Sequence, residues 1–168
     1  MEQRAIFSRN VALAGAERRA KRWPIMQARK RIALVAHDAK KDDLIHWVKA
    51  NADALAPHVF WSTGTTGKRI KEACPQMDIT PMKSGPLGGD QQIGARIADG
   101  GIDILIFFTD ALSPHPHESD VRALTRLSTL YNIAMATNRA TADFIVRSPY
   151  FAQAYEAPTG GGDGEPGT

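Results

Sequence analysis

Mainly apolar runs alternate with longer amphipathic stretches through the middle of the chain. The runs have the length of β-strands, whereas the stretches have the length and the apolar spacing of α-helices. In chain order, the five pairs of run and stretch are residues 32–36 with 40–50, 59–62 with 66–73, 79–82 with 90–99, 102–108 with 120–130, and 133–136 with 140–146. The pattern predicts about five strand–helix units.

Strands that alternate with helices of this length predict a parallel sheet, because each crossover helix returns the chain to the same edge of the sheet. Residues 102–108 are the best candidate for a central strand, since a strand buried on both faces reads as a nearly continuous apolar run. We therefore predict an α/β fold with three layers, α/β/α, around a doubly wound parallel sheet of about five strands.

The two ends of the chain differ from this central part. Residues 1–28 show no sustained period, and the step from Trp23 to Pro24 disfavours a helix. Residues 156–168 are rich in Gly and Pro, which disfavours regular structure. We predict a basic, poorly ordered N-terminal extension over residues 1–28, one folded domain over 29–155 and a flexible tail over 156–168.

Composition narrows the class of protein. With 43% hydrophobic and 23% charged residues, the chain resembles soluble globular domains. No stretch approaches the roughly 18 consecutive apolar residues of a membrane span, so we expect no membrane partner. The single cysteine, Cys74, cannot form an internal disulfide, which favours a reducing compartment. We therefore expect a cytoplasmic protein.

The positive charge is concentrated near the N-terminus. Residues 1–31 hold nine Lys/Arg and two Asp/Glu, a net charge of +7, whereas the whole chain carries +3. Residues 32–168 are therefore mildly acidic, at −4. A basic arm is able to bind polyanions, but a solvated leader explains the concentration of positive charge more simply. We therefore expect no nucleic-acid partner.

Polar residues and glycines follow the end of each predicted strand. Ligands of parallel α/β sheets bind at this edge, where the loops lead into helix N-termini with free N–H groups. The segments that follow the five strands are His37-Asp38, Thr63-Gly64-Thr65-Thr66-Gly67, Ser84-Gly85-Pro86-Leu87-Gly88-Gly89-Asp90-Gln91-Gln92, Thr109-Asp110, and Thr137-Asn138. Five polar loops are thus expected to converge on one rim.

The threonine- and glycine-rich loop at residues 63–67 combines hydroxyls with unhindered backbone amides, which suits a phosphate group. It lacks the motifs of nucleotide-binding loops. An ordinary turn with threonine caps is an equally good interpretation of this segment alone. The second polar loop at Ser84-Gly85 favours an anion site.

Asp90 is a candidate catalytic carboxylate. It follows Gly88-Gly89, where the absence of side chains allows a substrate to approach the backbone. The alternative is a helix N-cap, a position that Asp favours. The pattern around Asp90 leaves both interpretations open.

Three histidines and one further aspartate are candidates for the site, although a core or capping role is the more common one for a histidine placed like His37. His37 follows the first strand, and His115 and His117 lie in a proline-rich loop that restricts the backbone. A zinc site formed by His37, His117 and an aspartate is disfavoured, because the tight spacing typical of such sites is missing. Asp110 is either a second acid–base group or a partner that orients a histidine.

Four segments together resemble the methylglyoxal synthase family. The similarity covers residues 31–151, and the Gly-Gly-Asp-Gln-Gln motif is specific to the enzyme branch of that family. The segments are Ile32-Ala33-Leu34-Val35-Ala36-His37-Asp38, the loop at residues 63–67, the loop at residues 84–92, and Ala136-Thr137-Asn138-Arg139-Ala140-Thr141-Ala142-Asp143.

The resemblance implies a Rossmann-like fold, a homohexamer and regulation by inorganic phosphate. It also implies the elimination of phosphate from dihydroxyacetone phosphate through an enediolate to give methylglyoxal, a carbon–oxygen lyase reaction that needs no cofactor or metal. Asp90 is the implied base, His117 acts near the substrate carbonyl, and His37, Asp110 and Asp120 complete the implied catalytic set. The implied substrate-binding residues are His37, Asp38, Lys41, Thr63, Gly64, Thr65, Thr66, Ser84, Gly85 and His117.

Two other functions fit a domain of this build. One is a regulatory module that binds a phosphorylated ligand without chemistry, and the other is a sugar-phosphate isomerase. Free-standing length and the combination of Asp90 with His37 and His117 favour the enzyme over the module. An isomerase would release no phosphate, so the products distinguish it from the synthase.

Overall fold

The computed structural model describes residues 25–112 and 118–156. Five strands and six α-helices occupy these ranges, and all but one short helix follow the alternation that the apolar pattern predicts. The strands are β1 (Arg31–Ala36), β2 (Val59–Thr63), β3 (Asp78–Met82), β4 (Ile104–Phe108) and β5 (Ala134–Ala136). The helices are α1 (Lys41–Ala50), α2 (Ala52–Leu55), α3 (Gly64–Ala73), α4 (Gly89–Ala98), α5 (Glu118–Leu130) and α6 (Arg139–Arg147).

The five strands form one parallel sheet in the order β3-β2-β1-β4-β5. After β1 the chain builds outward through β2 and β3, and it then returns to place β4 on the other side of β1. β4 thus lies inside the sheet as expected, although β1 is the middle strand. The direction of winding reverses between β1 and β4, so the loops that follow these two strands diverge and leave a crevice.

The side chains of the inner strands alternate between two apolar clusters, as the two-residue repeat of a strand requires. Ile32, Leu34 and Ala36 of β1 face the cluster that contains residues of α1, α3 and α6. Ala33 and Val35 face the cluster that contains residues of α4 and α5. Helices therefore cover both faces of the sheet, and the predicted three-layer α/β/α fold is confirmed.

The fourth strand is shorter than its apolar run suggested, because it begins at Ile104 instead of residue 102. The buried carboxylate of Asp103 accepts hydrogen bonds from the backbone N–H of Arg31, at 2.8 Å, and from its guanidinium, at 2.6 and 3.0 Å. A side chain thus takes the place of a strand carbonyl at this point. The hydrogen bonds that the guanidinium donates to Asp103 also raise the pKa of Arg31.

Residues 26–155 form one compact unit. Its two ends are joined by an antiparallel bridge in which Met26 and Tyr155 exchange backbone hydrogen bonds of 2.9 and 2.8 Å. Of the helices in the described ranges, none has the length and apolar character that a membrane crossing requires. The division into residues 1–28, 29–155 and 156–168 stays a prediction.

Candidate active site

The loops that follow four of the strands surround a cavity of about 640 Å³ at the carboxyl edge of the sheet. The volume lies in the range typical of small-ligand sites. Its lining residues are Val35, Ala36, His37, Asp38, Ala39, Lys41, Thr63, Thr65, Thr66, Ser84, Gly85, Pro86, Asp90, Phe107, Asp110 and Val121. The crevice between β1 and β4 is therefore part of a larger pocket, which has both polar and apolar lining residues.

Hydroxyl groups line the side of the cavity that follows β2. Thr63 ends the strand in an extended conformation, and α3 begins at the next residue. Thr63 and Thr66 are buried, and the Oγ1 atom of Thr66 has no hydrogen-bond partner within the described part of the chain. A buried hydroxyl without a partner is costly, so it indicates a place where a ligand oxygen would be stabilised.

Lys41 supplies a cation on the same side. Its ammonium group donates to the carboxylate of Asp38 at 2.5 Å and to Oγ1 of Thr65 at 2.6 Å. Asp38 lies in a 3₁₀ turn directly after β1 and is 95% exposed, whereas the Lys41 side chain is mostly buried. A lysine held beside a threonine-rich helix start provides the positive charge that a phosphate dianion requires.

The loop after β3 depends on two glycines. Gly88 adopts a left-handed conformation, with φ at +95°, immediately before α4. At Gly89, a Cβ atom would lie only 2.0 Å from the carbonyl oxygen of Lys83, so no side chain fits there. The glycines thus allow α4 to begin directly against the end of β3.

This close approach buries Asp90, which is 5% exposed and lies in the first turn of α4. The N-cap of the helix is Gly88, so the capping role considered for Asp90 is wrong. A Cβ atom on Gly85 would lie 3.0 Å from Oδ2 of Asp90, which shows that the carboxylate lies against the Ser84-Gly85 backbone. The positive end of the helix dipole stabilises a carboxylate at this position.

His37 and Asp110 lie side by side across the crevice between β1 and β4. The backbone N–H of Asp110 donates to Nδ1 of His37 at 2.8 Å, and the His37 ring meets Phe107 edge-on at 5.1 Å between centroids. Because Nδ1 accepts, a neutral His37 carries its ring hydrogen on Nε2. The Asp110 carboxylate accepts from the N–H of Leu112 at 3.1 Å, which orders the start of that loop.

The described residues bring together most of the predicted site, but two of its members lie apart from the cavity. Gly64 does not line it; a Cβ atom on Gly64 would lie 2.8 Å from Cα of Ser84, so its role is to let two loops touch. Asp120 lines a neighbouring groove of about 320 Å³ that Asp90 also borders. His115 and His117 lie outside the described residues.

Several lining residues were not identified from the sequence. Phe107 and Val121 form part of the cavity wall, yet in the sequence they look like ordinary core residues of a strand and a helix. Pro86 lies within a motif that was noted, but no chemical reason pointed to it. Within residues 25–112 and 118–156, no group of three or more His, Cys, Asp or Glu side chains is placed to hold a metal ion.

These features define a class of protein. An α/β sheet that presents hydroxyls, a lysine and a buried carboxylate at its switch point has the features of a binding site for a small phosphorylated ligand. The carboxylate and the imidazole add groups that are able to transfer protons.

Comparison with known proteins identifies the family. The model of the MGS-like domain matches residues 43–137. Methylglyoxal synthase from Oleidesulfovibrio alaskensis is 51% identical over 130 residues, which cover 77% of this chain and 88% of that protein. The Brucella ovis methylglyoxal synthase is 57% identical over 123 residues, covering 73% and 98%. The crystal structure of methylglyoxal synthase from Elizabethkingia anophelis matches with a TM-score of 0.75 and 50% identity, over 80% of this chain and 88% of that one.

The chain therefore belongs to the methylglyoxal synthase family, as its motifs predict.

Proposed function

We propose that this protein has the activity for which its relatives are named. It converts dihydroxyacetone phosphate into methylglyoxal and inorganic phosphate, as a carbon–oxygen lyase that acts on a phosphate ester. The observation that carries the proposal is that one cavity holds both the buried Asp90 carboxylate and a set of phosphate-type donors. A base and an anion site in the same pocket are what this reaction requires.

The phosphate group of the substrate binds at the end of the cavity formed by the loops after β2 and β3. Lys41 offers a charge-assisted hydrogen bond. The buried hydroxyl of Thr66 gains the acceptor that it lacks in the described structure. Thr63, Thr65, Ser84 and the backbone of Gly85 complete this end of the cavity.

Asp90 acts as the base. Its carboxylate removes a proton from the hydroxymethyl carbon, whose acidity comes from the adjacent carbonyl group, and the electron pair moves onto the carbonyl oxygen. A donor on that oxygen stabilises the resulting enediolate. His117 is the first candidate donor from the family resemblance, and His37 supports the proposal because its neutral form directs Nε2–H away from the Asp110 backbone.

Loss of phosphate completes the reaction. The hydroxyl group on the deprotonated carbon gives its proton to the leaving phosphate and becomes the aldehyde carbonyl. The electron pair of the enediolate double bond shifts to form a new double bond to the carbon that bears the phosphate ester, and the bond from that carbon to the bridging oxygen breaks. Inorganic phosphate leaves with the bonding electrons, stabilised by Lys41. The enolate that remains accepts the proton held by Asp90 on its terminal carbon and becomes methylglyoxal, which regenerates the carboxylate.

The remaining aspartates have supporting roles in this proposal. Asp38 orients the Lys41 ammonium through their ion pair, and Asp110 fixes the His37 ring through its backbone N–H. Asp120 borders the same groove as Asp90 and supports the base from there.

An assay of both products tests the proposal. Incubation with dihydroxyacetone phosphate should release orthophosphate and methylglyoxal in equal amounts. Glyceraldehyde 3-phosphate without orthophosphate would identify an isomerase, and binding without any product would identify a regulatory module. The names of the relatives favour the synthase over both alternatives.

Three further properties follow from the family resemblance and belong to the proposal. The protein assembles as a homohexamer, is inhibited allosterically by inorganic phosphate and resides in the cytoplasm. Light scattering after size-exclusion chromatography tests the assembly, and initial rates at increasing phosphate test the inhibition. The buried, free Cys74 is compatible with a reducing compartment.

A further inference from the structure

The peptide groups of Lys83 connect three parts of the site. The backbone N–H of Lys83 donates to the side-chain oxygen Oε1 of Gln92 at 2.8 Å. Its carbonyl oxygen accepts from the backbone N–H of Gly64 at 3.2 Å. One residue at the end of β3 is thus bonded to α4 on one side and to the start of α3 on the other.

The packing around this residue leaves little freedom. Gly89 lies so close to the Lys83 carbonyl that a Cβ atom would be 2.0 Å from the oxygen, and a Cβ atom on Gly64 would be 2.8 Å from Cα of Ser84. The orientation of the backbone at Lys83 therefore sets the distance between the loop after β2 and the loop after β3. These two loops carry the hydroxyls proposed to bind phosphate.

Lys83 directly follows β3, the edge strand of the sheet, and its N–H is bonded to a side chain instead of a strand carbonyl. A backbone N–H in such a position needs a side chain or water as its acceptor. Gln92 supplies that acceptor from within α4, two residues after Asp90. The hydrogen bond consequently joins the helix that carries the base to the backbone that precedes Ser84.

We propose that Gln92 is a positioning residue, whose amide oxygen holds the backbone at Lys83 so that the phosphate-binding loops and Asp90 keep their mutual geometry. The proposal rests on the function proposed above for the same site. Gly85 contacts the Asp90 carboxylate so closely that a small rotation at Lys83 would change the approach of the base to its substrate. Misplacement on the scale of an ångström costs up to about 100-fold in rate.

Three variants test this role. Gln92→Met keeps the length of the side chain and removes the acceptor, whereas Gln92→Glu keeps an acceptor oxygen. Gln91→Met is the matched control, because Gln91 is exposed like Gln92 in the same helical turn but makes no hydrogen bond through its side chain to another described residue. The measurements are the Kd for inorganic phosphate by calorimetry, kcat and KM for dihydroxyacetone phosphate, and hydrogen exchange of the Lys83 amide.

In Gln92→Met, we expect the Kd for phosphate and the KM to rise about tenfold, kcat/KM to fall about 10- to 100-fold, and the Lys83 amide to lose its protection from exchange. Gln91→Met should match the wild type. Gln92→Glu should restore the protection of the Lys83 amide and part of kcat/KM. Equal phosphate binding, turnover and exchange in Gln92→Met and Gln91→Met would overturn the proposal.

The design separates this inference from the proposed function. If the wild-type protein forms neither methylglyoxal nor orthophosphate, the proposed function fails, while phosphate affinity and amide exchange still test the position of the loops. If Gln92→Met does not fold, the rate of hydrogen exchange at the Lys83 amide of the wild-type protein tests the role of Gln92. A Lys83 amide that exchanges as fast as an unprotected peptide would overturn the role of Gln92, whereas slow exchange would support it.

Discussion

A single carboxylate should carry the proton transfer. Asp90→Asn keeps the shape of the side chain and removes the base, so we expect kcat for methylglyoxal formation to fall about 10²- to 10⁴-fold. Far-UV circular dichroism and urea unfolding should remain close to those of the wild type. Turnover near the wild-type value in a folded Asp90→Asn protein would show that another group removes the proton.

The buried hydroxyl of Thr66 offers a different kind of test. Since its oxygen has no partner within the described residues, Thr66→Val should leave the free energy of unfolding unchanged or slightly higher. The proposed phosphate site loses one donor, so KM should rise about tenfold while Thr66→Ser retains most of the affinity. Steady-state kinetics and urea unfolding measure both effects, and a stability loss with unchanged KM would contradict the assignment.

His58 should make stability depend on pH at the edge of the sheet opposite the site. It is buried, its Nδ1 accepts from the backbone N–H of Lys30 at 3.1 Å, and its ring contacts Phe151. Burial lowers the pKa of His58 below 6.5, and the charges of Lys30 and Arg29 lower it further. The unfolded chain therefore binds a proton first as pH falls, which favours unfolding below about pH 6.5.

Replacement of this histidine by asparagine removes the titration and retains an acceptor oxygen for the Lys30 amide. We expect the urea midpoint of the wild type to fall more between about pH 7 and pH 5.5 than the midpoint of His58→Asn. Parallel pH dependence in the two proteins would show that the buried imidazole is not the source of the effect.

Among the secondary-structure elements, α4 should be the most sensitive to substitution, at its first residues. Gly89→Ala places a methyl group 2.0 Å from the backbone oxygen of Lys83, directly after β3, so the helix and the end of the strand must separate, at a cost of about 1–3 kcal/mol. Gly88→Ala is the comparison. A Cβ atom on Gly88 would lie 3.8 Å from its nearest neighbour, so there is space for it. Only the φ of +95° disfavours a side chain there, at a cost of about 1–2 kcal/mol.

Because the shift at Gly89 also moves Asp90, we expect Gly89→Ala to lose kcat along with stability, whereas Gly88→Ala should mainly lose stability. Urea unfolding and kcat, measured together on the two variants, check this order. A fully active Gly89→Ala protein would indicate that the base does not depend on the contact between α4 and β3.

For the molecule as a whole, we expect a chain of residues 25–156 to fold by itself and to turn over dihydroxyacetone phosphate. The entire sheet and both apolar clusters lie within residues 26–155, and burial of those clusters is the main driving force for folding. Circular dichroism, cooperative urea unfolding and the two-product assay test the fragment. An unfolded fragment would show that the predicted extension or tail is part of the domain.

The sequence alone determined the alternation of strands and helices, because the repeats of strands and helices are local properties of the chain. It also placed Thr63, Ser84 and Asp90 at one edge, since parallel strands carry the residues that follow them to the same side. The motifs were enough to identify the family. They gave no sign that residues 102 and 103 lie outside β4, where a buried carboxylate replaces a strand partner.

Only the tertiary structure decided the order β3-β2-β1-β4-β5 and therefore which loops face one another. It also decided that Asp90 is buried in the first turn of α4, after the N-cap residue. Phe107 and Val121 form part of the cavity wall, whereas Asp120 borders a separate groove. These properties depend on strand pairing and packing between residues far apart in the chain. Local patterns of polarity cannot encode such contacts, because the same residue types would satisfy the pattern in any strand order.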